Sequence, residues 1–189
     1  MYQIKPLAIA DCLEIIPQSY SDKRGDSIKP YHNSSFQKLG LPTNFQEELH
    51  VFNHGQVLRG MHFQKPPYAQ AKLVACLQGA LLDVAIDLRE NSPTYGQYVA
   101  IELDSQKHNM VYIPDGFAHG YLTLSQETIV VYKMSQEYHP ETEDGIRWDS
   151  FGFDWNGIKA PTMSDKDKNW QSLQTYMAKQ GKNQMEKKS

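Results

Sequence analysis

The sequence predicts a mainly all-β domain, a sandwich or barrel of short strands. Three observations carry this. Val84, Ile86 and Leu88 alternate with Ala85, Asp87 and Arg89, and Val99, Ile101 and Leu103 alternate with Ala100, Glu102 and Asp104. This is the period of two expected of a half-buried strand. Further apolar runs of strand length stand at 57–64, 72–77, 110–113, 120–124 and 129–134. Turn chemistry separates them: Lys65-Pro66-Pro67, Gln78-Gly79, Asn91-Ser92-Pro93 and Pro114-Asp115-Gly116. Many short strands without long helices between them point to a sandwich or barrel.

Before these strands, the apolar run at 7–16 is short and broken by Asp11 and Glu14, so it does not read as a signal peptide. Residues 20–60 hold few strand signals of their own. Helix is expected only in short pieces near the two ends, over 34–39 and over 167–179, the second starting from a Ser164 cap. Residues 1–178 read as one domain with an N-terminal arm. The segment 179–189 carries four Lys and one Glu and is expected to be a disordered, solvated tail.

A chain of 189 residues with 40% hydrophobic and 22% charged residues can bury a core without disulfides or a structural metal. The net charge of −3 gives no electrostatic reason to expect nucleic acid. Cys12 and Cys76 are too few for a zinc site or a disulfide framework, and both are expected to be reduced. No run approaches the ~20 apolar residues of a membrane span. The expectation is a cytoplasmic protein with neither membrane nor nucleic acid as partner.

The most polar-loaded run is Leu58-Arg59-Gly60-Met61-His62-Phe63-Gln64. An Arg and a His among apolar residues are costly to bury without a partner or a purpose. Arg59 and His62 have opposite parity, so a regular strand sends them to opposite faces. A bulge or a close backbone approach at Gly60 would let them share a pocket. Lys72 opens another strand, His119 follows the Pro114-Asp115-Gly116 turn, and Tyr132 sits inside an apolar strand. Ser164-Asp165-Lys166-Asp167 offers carboxylates, for which helix capping is the ordinary explanation. Each residue alone has an ordinary structural reading. Two His, a Lys, an Arg and a Tyr on short strands together describe a lined cavity.

Pro114-x-Gly116-x-x-His119 also matches the second signature of cupin barrels. A metal-binding cupin would supply a His-x-His pair earlier, where this chain has His62-Phe63-Gln64 followed by Lys65, Pro66 and Pro67. Two His without a third strong ligand make a poor transition-metal site, so no metal and no cofactor are expected.

The set Arg59-Gly60-Met61-His62-Phe63-Gln64, Gln70-Ala71-Lys72-Leu73-Val74, Asp83-Val84-Ala85-Ile86-Asp87-Leu88-Arg89, Ser92-Pro93-Thr94-Tyr95-Gly96, Ile113-Pro114-Asp115-Gly116-Phe117-Ala118-His119-Gly120-Tyr121 and Tyr132-Lys133 occurs in order. It closely resembles the dTDP-4-dehydrorhamnose 3,5-epimerase family over about residues 20–170. The resemblance implies a metal-free, cupin-like jelly-roll barrel, a homodimer that exchanges N-terminal strands, and a nucleotide-diphosphate 4-keto-6-deoxyhexose as substrate in deoxysugar biosynthesis. Protons at C3 and C5 of that sugar lie next to the C4 ketone, so each can be removed to an enolate and returned on the other face. By the resemblance, His62 is the base, Asp167 fixes its tautomer, Lys72 stabilises the enolate oxygen and Tyr132 is the acid. Arg59, His119 and Lys166 would contact diphosphate or sugar. Arg24 fits the family's phosphate-binding arm and Glu143 a further substrate contact.

Where the family has Gln-Asp-Asn before the Arg-Gly strand, this chain has Glu47-Glu48-Leu49. Where it has two Phe and a Glu after the first Arg-Gly, this chain has Asp26-Ser27-Ile28-Lys29. A carboxylate accepts from an exocyclic amino group such as that of cytosine but cannot donate to a thymine carbonyl. Glu47 or Glu48 could therefore read a CDP-linked sugar, as in the 5-epimerase branch leading to CDP-ascarylose. The rival readings are a metal-dependent cupin isomerase or oxygenase and a non-catalytic nucleotide-sugar binding module. A mere binder has no need of His62, Asp167 and Tyr132 together.

Overall fold

The computed structural model describes residues 1–188, with side chains through residue 181. The strands are β1 (Tyr2–Pro6), β2 (Leu13–Pro17), β3 (Ser19–Asp22), β4 (Gly25–Ile28), β5 (Glu47–His54), β6 (Leu58–Gln64), β7 (Lys72–Gln78), β8 (Ala80–Asp87), β9 (Tyr98–Asp104), β10 (Met110–Ile113), β11 (Phe117–Thr123), β12 (Glu127–Met134) and β13 (Glu143–Gly145). The helices are α1 (Asn33–Lys38), α2 (Asp165–Lys168) and α3 (Leu173–Lys188). Two antiparallel sheets face each other, in the orders β1-β2-β10-β7-β12-β5 and β13-β6-β11-β8-β9; β3 and β4 form a separate hairpin. This is the expected mainly-β barrel with short helices near the ends. No helix among the described residues is long and apolar enough to cross a membrane.

Three apolar clusters explain why the strands lie as they do. Val74, Leu81, Ala85, Val111, Phe117, Tyr121 and Val130 fill the space between the sheets. Leu58, Met61, Val84, Ile86 and Leu122 pack on the other face of the five-stranded sheet against Ile146, Trp155, Leu173 and Tyr176 from the C-terminal segment. Phe36 of α1 closes the outside of the six-stranded sheet with Ile15, Leu73 and Met110. The alternation at 84–89 promised a half-buried strand, yet β8 is buried almost throughout. Val84 and Ile86 meet the C-terminal segment, while Ala85 faces the barrel interior with Leu81. Small and ionisable residues on the second face imitate a solvent face. β9, at the sheet edge, keeps the half-buried pattern.

Two local expectations change. The single helix expected over 167–179 is broken: α2 ends at Lys168 and α3 starts at Leu173. Between them Gln171 forms a parallel bridge with Ile146, and Arg147 N donates to Gln171 O at 2.8 Å. Because α3 runs from Leu173 to Lys188, the segment expected as a disordered tail starts as a continuation of this helix; side chains from 182 to 189 lie outside the described residues. The weak pattern of 20–60 also conceals β5, whose eight residues pair along β12. That segment completes a sheet of its own chain.

Candidate active site

The cavity opens between the two sheets. It measures about 400 Å³ and is lined by His62 and Arg59 from β6, Lys72 from β7, His119 from β11, Tyr132 from β12, Glu47 from β5, Glu143 from β13 and Lys166 from α2. Eight of the ten candidate residues thus meet in one place. Asp167 stands directly behind His62. Arg24 does not join them: it lies exposed on the β3–β4 hairpin, bound to Asp22 through Nη2 at 2.5 Å.

The parity conflict between Arg59 and His62 is resolved at Gly60. His62 pairs with His119 and Arg59 with Tyr121, so the register slips by one residue between them. The extra residue turns Arg59 to the cavity that His62 faces. Gly60 has φ +126°, and a Cβ there would fall 2.5 Å from the Cα of Gly120. No side chain fits this crossing.

His62 Nε2 and Asp167 Oδ1 are 2.7 Å apart. Asp167 Oδ2 accepts from Gly60 N at 3.2 Å, and Asp167 N donates to the capping Ser164 Oγ at 3.1 Å. Burial pushes the Asp167 carboxyl up, but the bond from His62, its charge and the bonds from Gly60 and Ser164 outweigh it and hold the group below the usual carboxylate range. An ionised carboxylate only accepts, which places the proton on His62 Nε2 and leaves the Nδ1 lone pair free. The cap is Ser164, and the Asp167 side chain is left to meet His62. The cap orients α2 so that its third residue reaches His62.

A second pair lies beside it. His119 Nε2 and Asp83 Oδ2 are 2.8 Å apart, with side chains only 3% and 1% exposed. Burial pushes the imidazole pKa of His119 down; Asp83 opposes this, while Lys72 and His62 add to it. Lys72 is lowered to about 8, chiefly by burial, against the pull of Asp83 and Glu143. Its Nζ donates to His62 O at 3.3 Å. Burial, with Tyr121 and Asp83 nearby, raises Tyr132 well above an ordinary phenol, against the opposing charge of Arg59, so it keeps its O–H. Its ring stands edge-on to His119, with centroids 5.7 Å apart.

At the mouth, Lys166 Nζ lies 2.9 Å from both carboxylate oxygens of Glu143, and Tyr138 Oη donates to Glu143 Oε2 at 2.7 Å. Tyr138 N donates to Glu47 Oε2 at 2.6 Å. Of the two glutamates, Glu47 lines the cavity, whereas Glu48 has the opposite parity and pairs with Lys133 and His50 outside it.

Sequence reasoning missed several supporting residues. Asp83 holds His119. Asn53 Oδ1 accepts from Arg59 Nε at 2.9 Å and from Tyr121 Oη at 3.2 Å. Gln64 accepts from His139 N at 2.5 Å and donates to Tyr68 O at 2.7 Å, while Gln70 donates to Gln136 O at 2.8 Å. These two hold the turn that carries Tyr138. The signal that singled out Arg59, a polar side chain in an apolar run, was also present at Asp83.

The family model described as dTDP-4-dehydrorhamnose 3,5-epimerase matches residues 6–175. The chain belongs to this family. A relative from Methanothermobacter thermautotrophicus, named dTDP-4-dehydrorhamnose 3,5-epimerase, is 41% identical over 163 residues, 84% of this chain and 88% of the relative. The structure of a dTDP-6-deoxy-D-glucose-3,5-epimerase from Legionella pneumophila in complex with dTDP-4-keto-L-rhamnose superposes with a TM-score of 0.88 at 33% identity, covering 92% of this chain and 94% of that one. A 3'-monoepimerase from Streptomyces bikiniensis in complex with dTDP-quinovose gives 0.85 at 31% identity, covering 95% and 97%. The family's cupin-like jelly roll is the fold of this chain, and the chain is a carbohydrate epimerase.

Proposed function

We propose that this epimerase acts on a nucleotide-diphosphate 4-keto-6-deoxyhexose and inverts a carbon next to the ketone through an enolate. One observation carries the reading: base and acid candidates stand on different sheets with the cavity between them. His62 comes from the five-stranded sheet, whereas Tyr132 and Lys72 come from the six-stranded one. His62 Nδ1 takes the proton from carbon. The electron pair moves onto the C4 oxygen, where the Lys72 cation stabilises it. The Tyr132 O–H then protonates the same carbon from the opposite face, and solvent exchange resets both groups. Asp167 stabilises the imidazolium formed in the first step.

Arg59, His119, Glu47, Glu143 and Lys166 form the surroundings that hold sugar and diphosphate. The names of the relatives favour dTDP as carrier, while the acceptor-only carboxylate of Glu47 favours a base with an amino group. Turnover of dTDP- against CDP-linked 4-keto sugars decides this, and a clear preference for dTDP removes the CDP reading. Heavy water distinguishes one inverted centre from two, by deuterium at C5 alone, C3 alone or both.

The hairpin bearing Arg24 stands clear of its own cavity. In a homodimer that exchanges N-terminal strands, Arg24 serves the phosphate of the neighbouring site. Light scattering at dimer mass supports this arrangement, and a monomer overturns it.

A further inference from the structure

Trp170 lies in the break between α2 and α3, where neither helix requires it. Its indole packs against Gly145 so closely that a Cβ built on that glycine would fall 2.4 Å from Cδ2 and from Cε2. Gly145 needs no left-handed backbone; it is a glycine that supplies room for the ring. In the sheet, Gly145 is the register partner of His62. The indole therefore lies beside the base, with ring centroids 6.1 Å apart and planes at 71°. Lys166 Nζ sits 6.0 Å from the same indole.

A tryptophan retained only for packing ordinarily gives its buried N–H a partner. Trp170 Nε1 is buried and has none among the described residues. The chain instead uses the ring as a wall for the imidazole. Asp167 fixes one nitrogen of His62, but a single hydrogen bond leaves the ring free to swing about that contact. An edge-to-face aromatic neighbour restricts that swing.

We propose that Trp170, seated on Gly145, is a positioning residue that holds the His62 ring so that Nδ1 faces the reacting carbon. This rests on the reading of His62 as the base. Three variants separate position from stability. Trp170→Ala removes the wall. Gly145→Ala keeps the indole but forces it off the strand. Trp170→Phe keeps a smaller ring on Gly145 and serves as the conservative control for folding and rescue. Expected are a fall in kcat of about tenfold in the first two, KM within about twofold of the parent, a parallel fall in deuterium exchange, and substantial recovery in Trp170→Phe.

The unmodified protein supplies a second readout. An imidazolium in contact with an indole quenches its fluorescence. The emission lost on Trp170→Phe, which leaves Trp148 and Trp155, should differ between the parent and His62→Ala because the two rings are in contact. Unchanged kcat in both Trp170→Ala and Gly145→Ala with only a lower Tm, or a Trp170 emission that ignores His62, overturns the inference. Normal turnover by His62→Ala overturns the base assignment itself, and is told apart because Trp170→Ala is not needed to see it.

Discussion

Two His–Asp pairs stand side by side, their histidines on β6 and β11 and their aspartates on α2 and β8, and their bond lengths differ by only 0.1 Å, 2.7 against 2.8 Å. Their surroundings differ far more. His62 is 29% exposed and backed by a carboxylate that also accepts from Gly60 N. His119 is 3% exposed, and burial drives it toward the neutral form, with the Lys72 and His62 charges adding to the effect. On the proposed reading, the same two side chains make a proton acceptor in one place and, in the other, a fixed hydrogen-bonding group that burial favours in its neutral form. Pair geometry alone does not separate the two histidines; access to the cavity and the cost of charging the His119 ring do.

The largest expected effect is at His62. His62→Ala should lower turnover by about 10²–10⁴-fold, the usual worth of a general base, with the circular dichroism spectrum unchanged. Asp167→Asn should follow at about 10²-fold, seen in kcat more than in KM, because the imidazolium loses its counter-charge and the ring its fixed tautomer. Asp83→Ala should behave differently. It leaves a buried imidazole N–H without its acceptor and should cost about 1–3 kcal/mol of stability, read as a lower Tm or denaturation midpoint, with a smaller loss of kcat than Asp167→Asn. An equal kcat loss from both carboxylate variants would erase the distinction between the pairs.

The smallest effect is the pH response of Lys72, whose pKa is lowered to about 8. Its cation disappears above about pH 8, so kcat should decline there. The unfolded chain keeps this lysine protonated to higher pH than the folded chain does, so it binds more protons between about 8 and the ordinary lysine value, and this group's contribution to stability rises with pH in that window. Activity and stability should therefore move in opposite directions, a sign that a pH–rate profile beside thermal melts can check. In Lys72→Met both trends should vanish.

The strands of the barrel were legible because apolar runs and Pro/Gly turns bracket them. β5 was not, since Glu47-Glu48-Leu49-His50 holds polar residues on both parities. One side chain faces a cavity and the next a salt bridge, so polarity does not mark the faces. Opposed parity at Arg59 and His62 was legible, and Gly60 named the place of its repair. Asp83 and Asn53 stayed hidden because their purpose is a partner far along the chain, 36 residues from Asp83 to His119 and 68 from Asn53 to Tyr121. The helix break that seats Trp170 depends on a bridge to Ile146, which no local pattern shows.

Of the two pairs, we propose that only His62–Asp167 moves protons. The direct measurement is deuterium uptake from heavy water at the carbons beside the substrate ketone, followed by NMR in the parent, His62→Ala and His119→Gln. Uptake is expected in the parent, slowed but present uptake in His119→Gln, and none in His62→Ala. Parent-like uptake in His62→Ala, or complete loss confined to His119→Gln, would contradict it.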